Sequence, residues 1–405
     1  MSPTAARSLL AALALLAAAA PAAAQAPRTA ARFELVGRAP VTHTRTTDLA
    51  VFRGGDGRDY AYHGSFGVCP GCTMGRMYAW DVTDPAHPKL TDSISVDAAI
   101  INDVAVNAAG TLAVLTREGA RSRRNGIVIL DLKDPAHPRP IGEYWETLLG
   151  GAHNLWLDGD RAYVVDQGTS EMAIIDLSLP SDPREIGRWG IPERPNRFLQ
   201  DVAVKDGLAY LSYWDDGLLV VDVGNGIMQG TPRRPKLVGQ YRYRVQWRGA
   251  VYGNTAYAFP YTNAAGKKYV FVGDQIMPRD ANLGERFATG GYVHVLDMSD
   301  PSVPREVAAY AVPNSGVHSF WIANDTMYVA AWTGGIRAVD VSGNLVGQLA
   351  GREIASITTS DAQSAVRDFP FAWSAVPHNG LVFASDFNSG LWIVRLVPGT
   401  TAAQP

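Results

Sequence analysis

The chain has 405 residues, of which 47% are apolar and 19% charged, so it has material for a core and is not a disordered polymer. Its net charge of −3 carries no polybasic signature and argues against general nucleic-acid binding. Two cysteines exclude a dense disulfide scaffold or a four-cysteine zinc site, and 40 Gly with 25 Pro favour many turns over long helices.

At the amino end, Arg7 precedes an apolar run from Leu9 to Ala20, and Pro21 breaks it before Ala22-Ala23-Ala24. Charge, a short apolar stretch and an A-x-A site are the parts of a secretory signal peptide cleaved after Ala24. The run is short and alanine-rich for crossing ~30 Å of hydrocarbon, and no later segment offers some 18 unbroken apolar residues. The expected organisation is residues 1–24 as signal peptide, 25–32 as linker, 33–399 as one folded domain and 400–405 as a disordered tail. Such a chain is exported to the periplasm, the cell surface or the medium, with no membrane insertion of the mature part.

FELVGRAPV (Phe33–Val41) reads as a strand, and TDLAVF follows as another. From there one unit recurs: an apolar run, an Asp, a turn and a further strand. It reads RMYAWDVTDPAHPKL (Arg76–Leu90), GIVILDLKDPAHPRP (Gly126–Pro140), EMAIIDLSLPSDPRE (Glu171–Glu185) and GLLVVDVGNG (Gly217–Gly226). It returns as YVHVLDMSDPSVPRE (Tyr292–Glu306), GIRAVDVSGN (Gly335–Asn344) and GLWIVRLVPG (Gly390–Gly399). The aspartates stand at 81, 131, 176, 222, 297 and 340, and Arg395 takes the seventh place, a mean step of about 52 residues.

Each step holds four strands. In Asp201–Tyr241 these are DVAV, LAYLSYW after the Asp206-Gly207 turn, LLVVD and KLVGQYRY. The third is apolar on both pleat faces and so belongs between two neighbouring sheets. Four-stranded sheets bury both faces when they stand around an axis, which predicts an all-β, seven-bladed β-propeller. The last unit stops at its third strand, LWIVRLV. The amino-terminal strand is therefore expected to complete the last blade and close the ring, removing exposed edges.

An Asp ending a buried strand before a turn accepts backbone N–H groups of that turn, so the six aspartates read as structural caps. DP-x-x-P elements such as Asp84–Pro88 pre-set the connection in the same way. Cys69-Pro70-Gly71-Cys72 lies in the long loop His63–Gly75. It lacks the helix of a thioredoxin-like site and the His of a haem attachment motif, so a local disulfide between Cys69 and Cys72 is expected after export.

The apolar-run-plus-Asp motif, with LLVVD and AIIDL as its clearest copies, resembles the LVIVD repeat of exported and cell-surface proteins of bacteria and archaea. The resemblance implies a propeller and export. It brings no reaction and no cofactor.

In a propeller, first-strand starts and second-strand exits meet at one opening of the axis. The starts here are Thr47-Asp48, Asn102-Asp103, His153-Asn154, Gln200-Asp201, Asn254-Thr255, His318-Ser319 and Trp373-Ser374. The exits include Asp166, Trp214, Asp215, Asp274, Trp332 and Asp386. The candidate ligand-binding rim is thus Asp48, Asp103, His153, Asn154, Asp166, Asp201, Trp214, Asp215, Asp274, His318, Trp332, Trp373 and Asp386. These groups suit a binding or interaction module for a peptide, a glycan or an envelope protein, with Trp available for stacking. The bland alternative is that they satisfy blade-to-blade backbone groups along a wet channel. The rival function is a metal-dependent hydrolase or oxidoreductase built on His153 and His318. No metal site or catalytic motif is expected from spacing: G-x-S-x-G, Walker and H-E-x-x-H patterns are missing from the sequence.

Overall fold

A computed structural model describes residues 30–67, 74–192, 197–312 and 314–399. The expected signal peptide, the Cys69–Cys72 bridge and the tail lie outside the described residues. Seven small antiparallel sheets of four or five strands form the molecule, with one extra two-stranded hairpin, Val245–Trp247 and Ala250–Tyr252, between the fourth and fifth. The first strands are Arg45–Arg53, Val104–Val106, Ala152–Asp158, Leu199–Lys205, Thr255–Thr262, Ser319–Ala323 and Ala372–His378. Each touches the first strand of the next sheet, and the seventh touches the first again. The sheets are therefore the blades of a closed seven-bladed propeller.

Ring closure follows the expected route. Ala31–Pro40 pairs antiparallel with Gly390–Pro398, from Ala31 opposite Pro398 to Pro40 opposite Gly390, and so supplies the fourth strand of blade 7. One connection departs from the simple repeat. After blade 6's third strand, Gly347–Gln348 joins blade 5 as a short parallel edge before Glu353–Ile357 returns to complete blade 6.

The apolar alternation of the strands explains the cores. Each of the seven blade junctions encloses its own buried cluster. In blade 4's third strand, Gly217–Asp222, Leu219 and Val221 face blade 3 while Leu218 and Val220 face blade 5. All four are essentially inaccessible to solvent. An eighth cluster, with Trp332, Phe369, Phe371, Trp373 and Phe387, lies under the loops on one face. Among the described residues, no helix is long and apolar enough to cross a membrane.

The motif aspartates cap as expected. In all six, Oδ1 accepts the backbone N–H two residues on: Thr83, Lys133, Ser178, Gly224, Ser299 and Ser342. Asp222 goes further and accepts five N–H groups, from Gly224, Asn225, Gly226, Met228 and Gly230. Despite its burial, these bonds draw its carboxyl down to about 2.

Candidate functional site

We call the face where first strands start the upper face, and the face where they end the lower one. Bonds are made blade to blade just inside the upper face. Thr47 donates to the Ile101 carbonyl, and Asn102 to Asn154 Oδ1 at 2.6 Å. Asn154 in turn donates to Asp201 Oδ1 at 3.1 Å, and Leu155 N–H donates to Asp103 Oδ2 at 2.8 Å. These are the structural bonds a buried polar rim was expected to make.

A second chain of bonds lies above them. His153 donates from Nδ1 to Glu118 at 2.8 Å and accepts at Nε2 from Gln200 at 2.7 Å. Gln200 then accepts from the Trp214 indole at 2.9 Å. Both ring nitrogens of His153 are thereby used. His318 donates from Nδ1 to the Trp373 carbonyl and packs against Trp332 and Trp373, and burial pushes its pKa down to about 3. Among the described residues, no three His, Cys, Asp or Glu groups are arranged to hold a metal ion.

The remaining rim candidates sit away from the axis. Asp166 is buried against Arg188 at 2.6 Å and accepts from Gly168 and Thr169. Asp386 accepts from Thr359, Phe371 and Asn388, anchoring the segment that leads into blade 7, and burial raises it to about 6. Asp274 is fully buried, is bonded by Tyr243 and lies 3.0 Å from His294, whose other nitrogen meets Glu306 at 2.9 Å. The two carboxylates raise His294 to about 9 against the effect of burial. Asp215 is an exposed acceptor for Gly253 N–H.

Four candidates do come together on the axis. Asp48, Asp103, Asn154 and Asp201 line the inner end of a cavity of about 450 Å³. On the other blades, Ser319 and Ser374 hold the same level, Ser374 opposite Ser385 as Asp201 is opposite Ser212. Burial is the main cause of three raised carboxyl pKa values. Asp48 rises to about 6, held back by the Ser374 hydroxyl and the Leu49 N–H. Asp103 rises well above the carboxylate range, with the Asp48 charge adding to burial. Asp201 does so too, with Asp103 next in effect.

Below this acidic level the walls become apolar and aromatic. Two residues on from Asn154 and Ser319, on the same pleat face, stand Trp156 and Trp321. Although three blades apart, their rings meet across the channel with centroids 6.3 Å apart and planes at 18°. Tyr257, Val106, Val376 and Pro377 are also part of the lining, and Phe259 packs edge-to-face against Trp321 behind it. Arg53 and Ala108, both exposed, mark the wide end, so the cavity opens at the lower face. The sequence placed the mouth at the strand starts. In the structure, the cavity lined by four of those residues extends to Arg53 and Ala108 at the other ends of the strands. Trp156, Trp321, Tyr257 and Phe259 were missed, although the period-two pleat puts Trp156 and Trp321 in line with polar residues already singled out.

A family model for the LVIVD repeat matches residues 149–190, 197–242 and 288–312, covering blade 3, blade 4 and the outer part of blade 5. Three segments of the propeller thus match LVIVD repeats. No curated protein matches the chain. Among solved structures, the propeller is similar to a putative 6-phosphogluconolactonase from Bacteroides fragilis, with 10% identity, a TM-score of 0.55, and 86% of this chain and 89% of that one covered. It is also similar to the computationally designed Ika8 protein, with 9% identity, a TM-score of 0.52, and 89% and 98% covered. At these identities the LVIVD-repeat propeller shares the fold with both, and nothing about chemistry follows.

Proposed function

We propose that this LVIVD-repeat propeller is an exported binding module that holds a small ligand in its axial cavity. The observation that carries this reading is the cavity itself. Residues from all seven blades line it, it lies within the ~300–1,000 Å³ of ordinary ligand sites, and it combines aromatic walls with a few convergent polar groups. Export rests on the amino-terminal pattern of Arg7, Leu9–Ala20 and Ala22–Ala24 and on the repeat type. The deciding experiment is ligand-observed NMR of the mature protein with a library of small molecules. Hits that disappear in the Trp156→Ala/Trp321→Ala double variant support the module. A library without such hits, against a folded wild-type protein, overturns it.

A further inference from the structure

Resting on that reading, we infer that the ligand of the axial cavity is a small organic cation: an ammonium or guanidinium group carried on an apolar or aromatic body. Three carboxylates, Asp48, Asp103 and Asp201, share the inner end of the cavity and act on one another's charge. Among the described residues, their donors are neutral: Leu49 N–H meets Asp48, the N–H groups of Val104 and Leu155 meet Asp103, and Val202 N–H and the Asn154 amide meet Asp201. Among the described residues, the one charged donor lining the cavity is Arg53, which is exposed and pairs with Asp59 at 3.1 Å. Asp201 is buried and Asp48 and Asp103 are half-buried. Carboxylates withdrawn from water without a counter-ion are costly, and a cation entering the cavity reduces that cost.

A second, independent feature points the same way. Ser374 is fully buried at the level of Asp48, and its hydroxyl faces that carboxylate without closing a hydrogen bond of 3.5 Å or less. An unsatisfied hydroxyl there leaves a polar position for a ligand donor. The size of the cation follows from two observations. The carboxylates belong to three different blades, Asp48 to the first, Asp103 to the second and Asp201 to the fourth, which suits a cationic head larger than a single ion. Trp156 and Trp321, stacked on each other in the same cavity, supply an apolar aromatic wall for the body of the ligand.

The test compares three probes of one shape by calorimetry at pH 7.5: phenethylamine, phenethyl alcohol and phenylacetate. The amine is expected to bind at least about tenfold more tightly than the other two. The Asp103→Asn/Asp201→Asn variant is expected to erase that preference. It keeps an oxygen to accept the Leu155 N–H and Asn154 amide bonds, so a thermal midpoint no lower than wild type shows that the fold is intact. Equal binding of the alcohol or the acid, an unchanged preference in the variant, or no binding of any probe overturns the cation assignment. The binding-module reading falls separately, when the library screen yields no hit dependent on Trp156 and Trp321.

Discussion

Asp103 and Asp222 show how the same side chain comes to opposite protonation behaviour. Asp222 sits in a turn that aims five N–H groups at it, and its ionised form is favoured. Asp103 faces other carboxylates along the axis, and its neutral form is favoured. The linkage signs follow. Asp48 and Asp386 are raised in the folded state and contribute stability at low pH that is lost as pH rises from the unfolded carboxyl pKa through about 6, and Asp103 and Asp201, raised by burial and neighbouring carboxylates, lose theirs in the same direction. Asp222 contributes above the unfolded carboxyl pKa and loses that contribution as pH falls toward about 2. His294 contributes below the unfolded imidazole pKa and loses it as pH rises through about 9. Without ligand, the thermal midpoint should therefore peak near the unfolded carboxyl pKa of about 4 and decline toward pH 8. The Asp103→Asn/Asp201→Asn variant should show a flatter decline between pH 5 and 8. Scanning calorimetry across that range checks both, and a wild-type midpoint that climbs from pH 5 to 8 contradicts the assignment.

At the level of elements, the fourth strands carry a device that the repeat pattern contained but did not explain. Gly37, Gly142, Gly187 and Gly239 each sit where the pairing of the fourth strand with the third slips by one residue. A Cβ added at any of them would fall 2.0 to 2.3 Å from the carbonyl oxygen of a proline in the next blade's turn: Pro85, Pro180, Pro232 or Pro301. The turn and the glycine are two halves of one contact between blades, which requires backbone against backbone. Gly187→Ala is accordingly expected to lower unfolding stability by about 1–3 kcal/mol, measured by urea denaturation. A change within ~0.5 kcal/mol would show that the turn moves aside at little cost. The strands themselves were legible because their alternation is a local property, and the Asp caps because acceptor and turn are neighbours in sequence. The purpose of these glycines was not legible, since each partner proline lies some 40 to 60 residues away along the chain.

The whole molecule shows where sequence reasoning reached its end. The polar level around the axis was found from the strand starts, and Asp48, Asp103, Asn154 and Asp201 do meet there. Which end of the channel opens is decided by side chains of seven strands at once, and no single stretch of sequence contains that sum. Trp156 and Trp321 are 165 positions apart and become neighbours because the ring sets blades 3 and 6 across the axis from each other. Asp166, Asp274 and Asp386 had the right position along their strands, yet each was taken up by a local bond network. The ring is also a single cooperative object. Removing residues 1–40 strips blade 7 of its outer strand and leaves Gly390–Pro398, with Trp392 and Val394, as an open apolar edge. That truncated protein should melt well below the full mature chain and self-associate, as followed by light scattering. An unchanged, monomeric protein would mean the closing strand is dispensable.

The pairing of Ala31–Pro40 with Gly390–Pro398 has a consequence in time as well as in space. The first strand of the propeller to be made is the one whose partner is made last, so it waits, unmatched, through the synthesis of six and a half sheets. A nascent chain halted anywhere before Gly390 holds a necklace with no clasp. Completion of the circle thus waits on the synthesis of Gly390–Pro398.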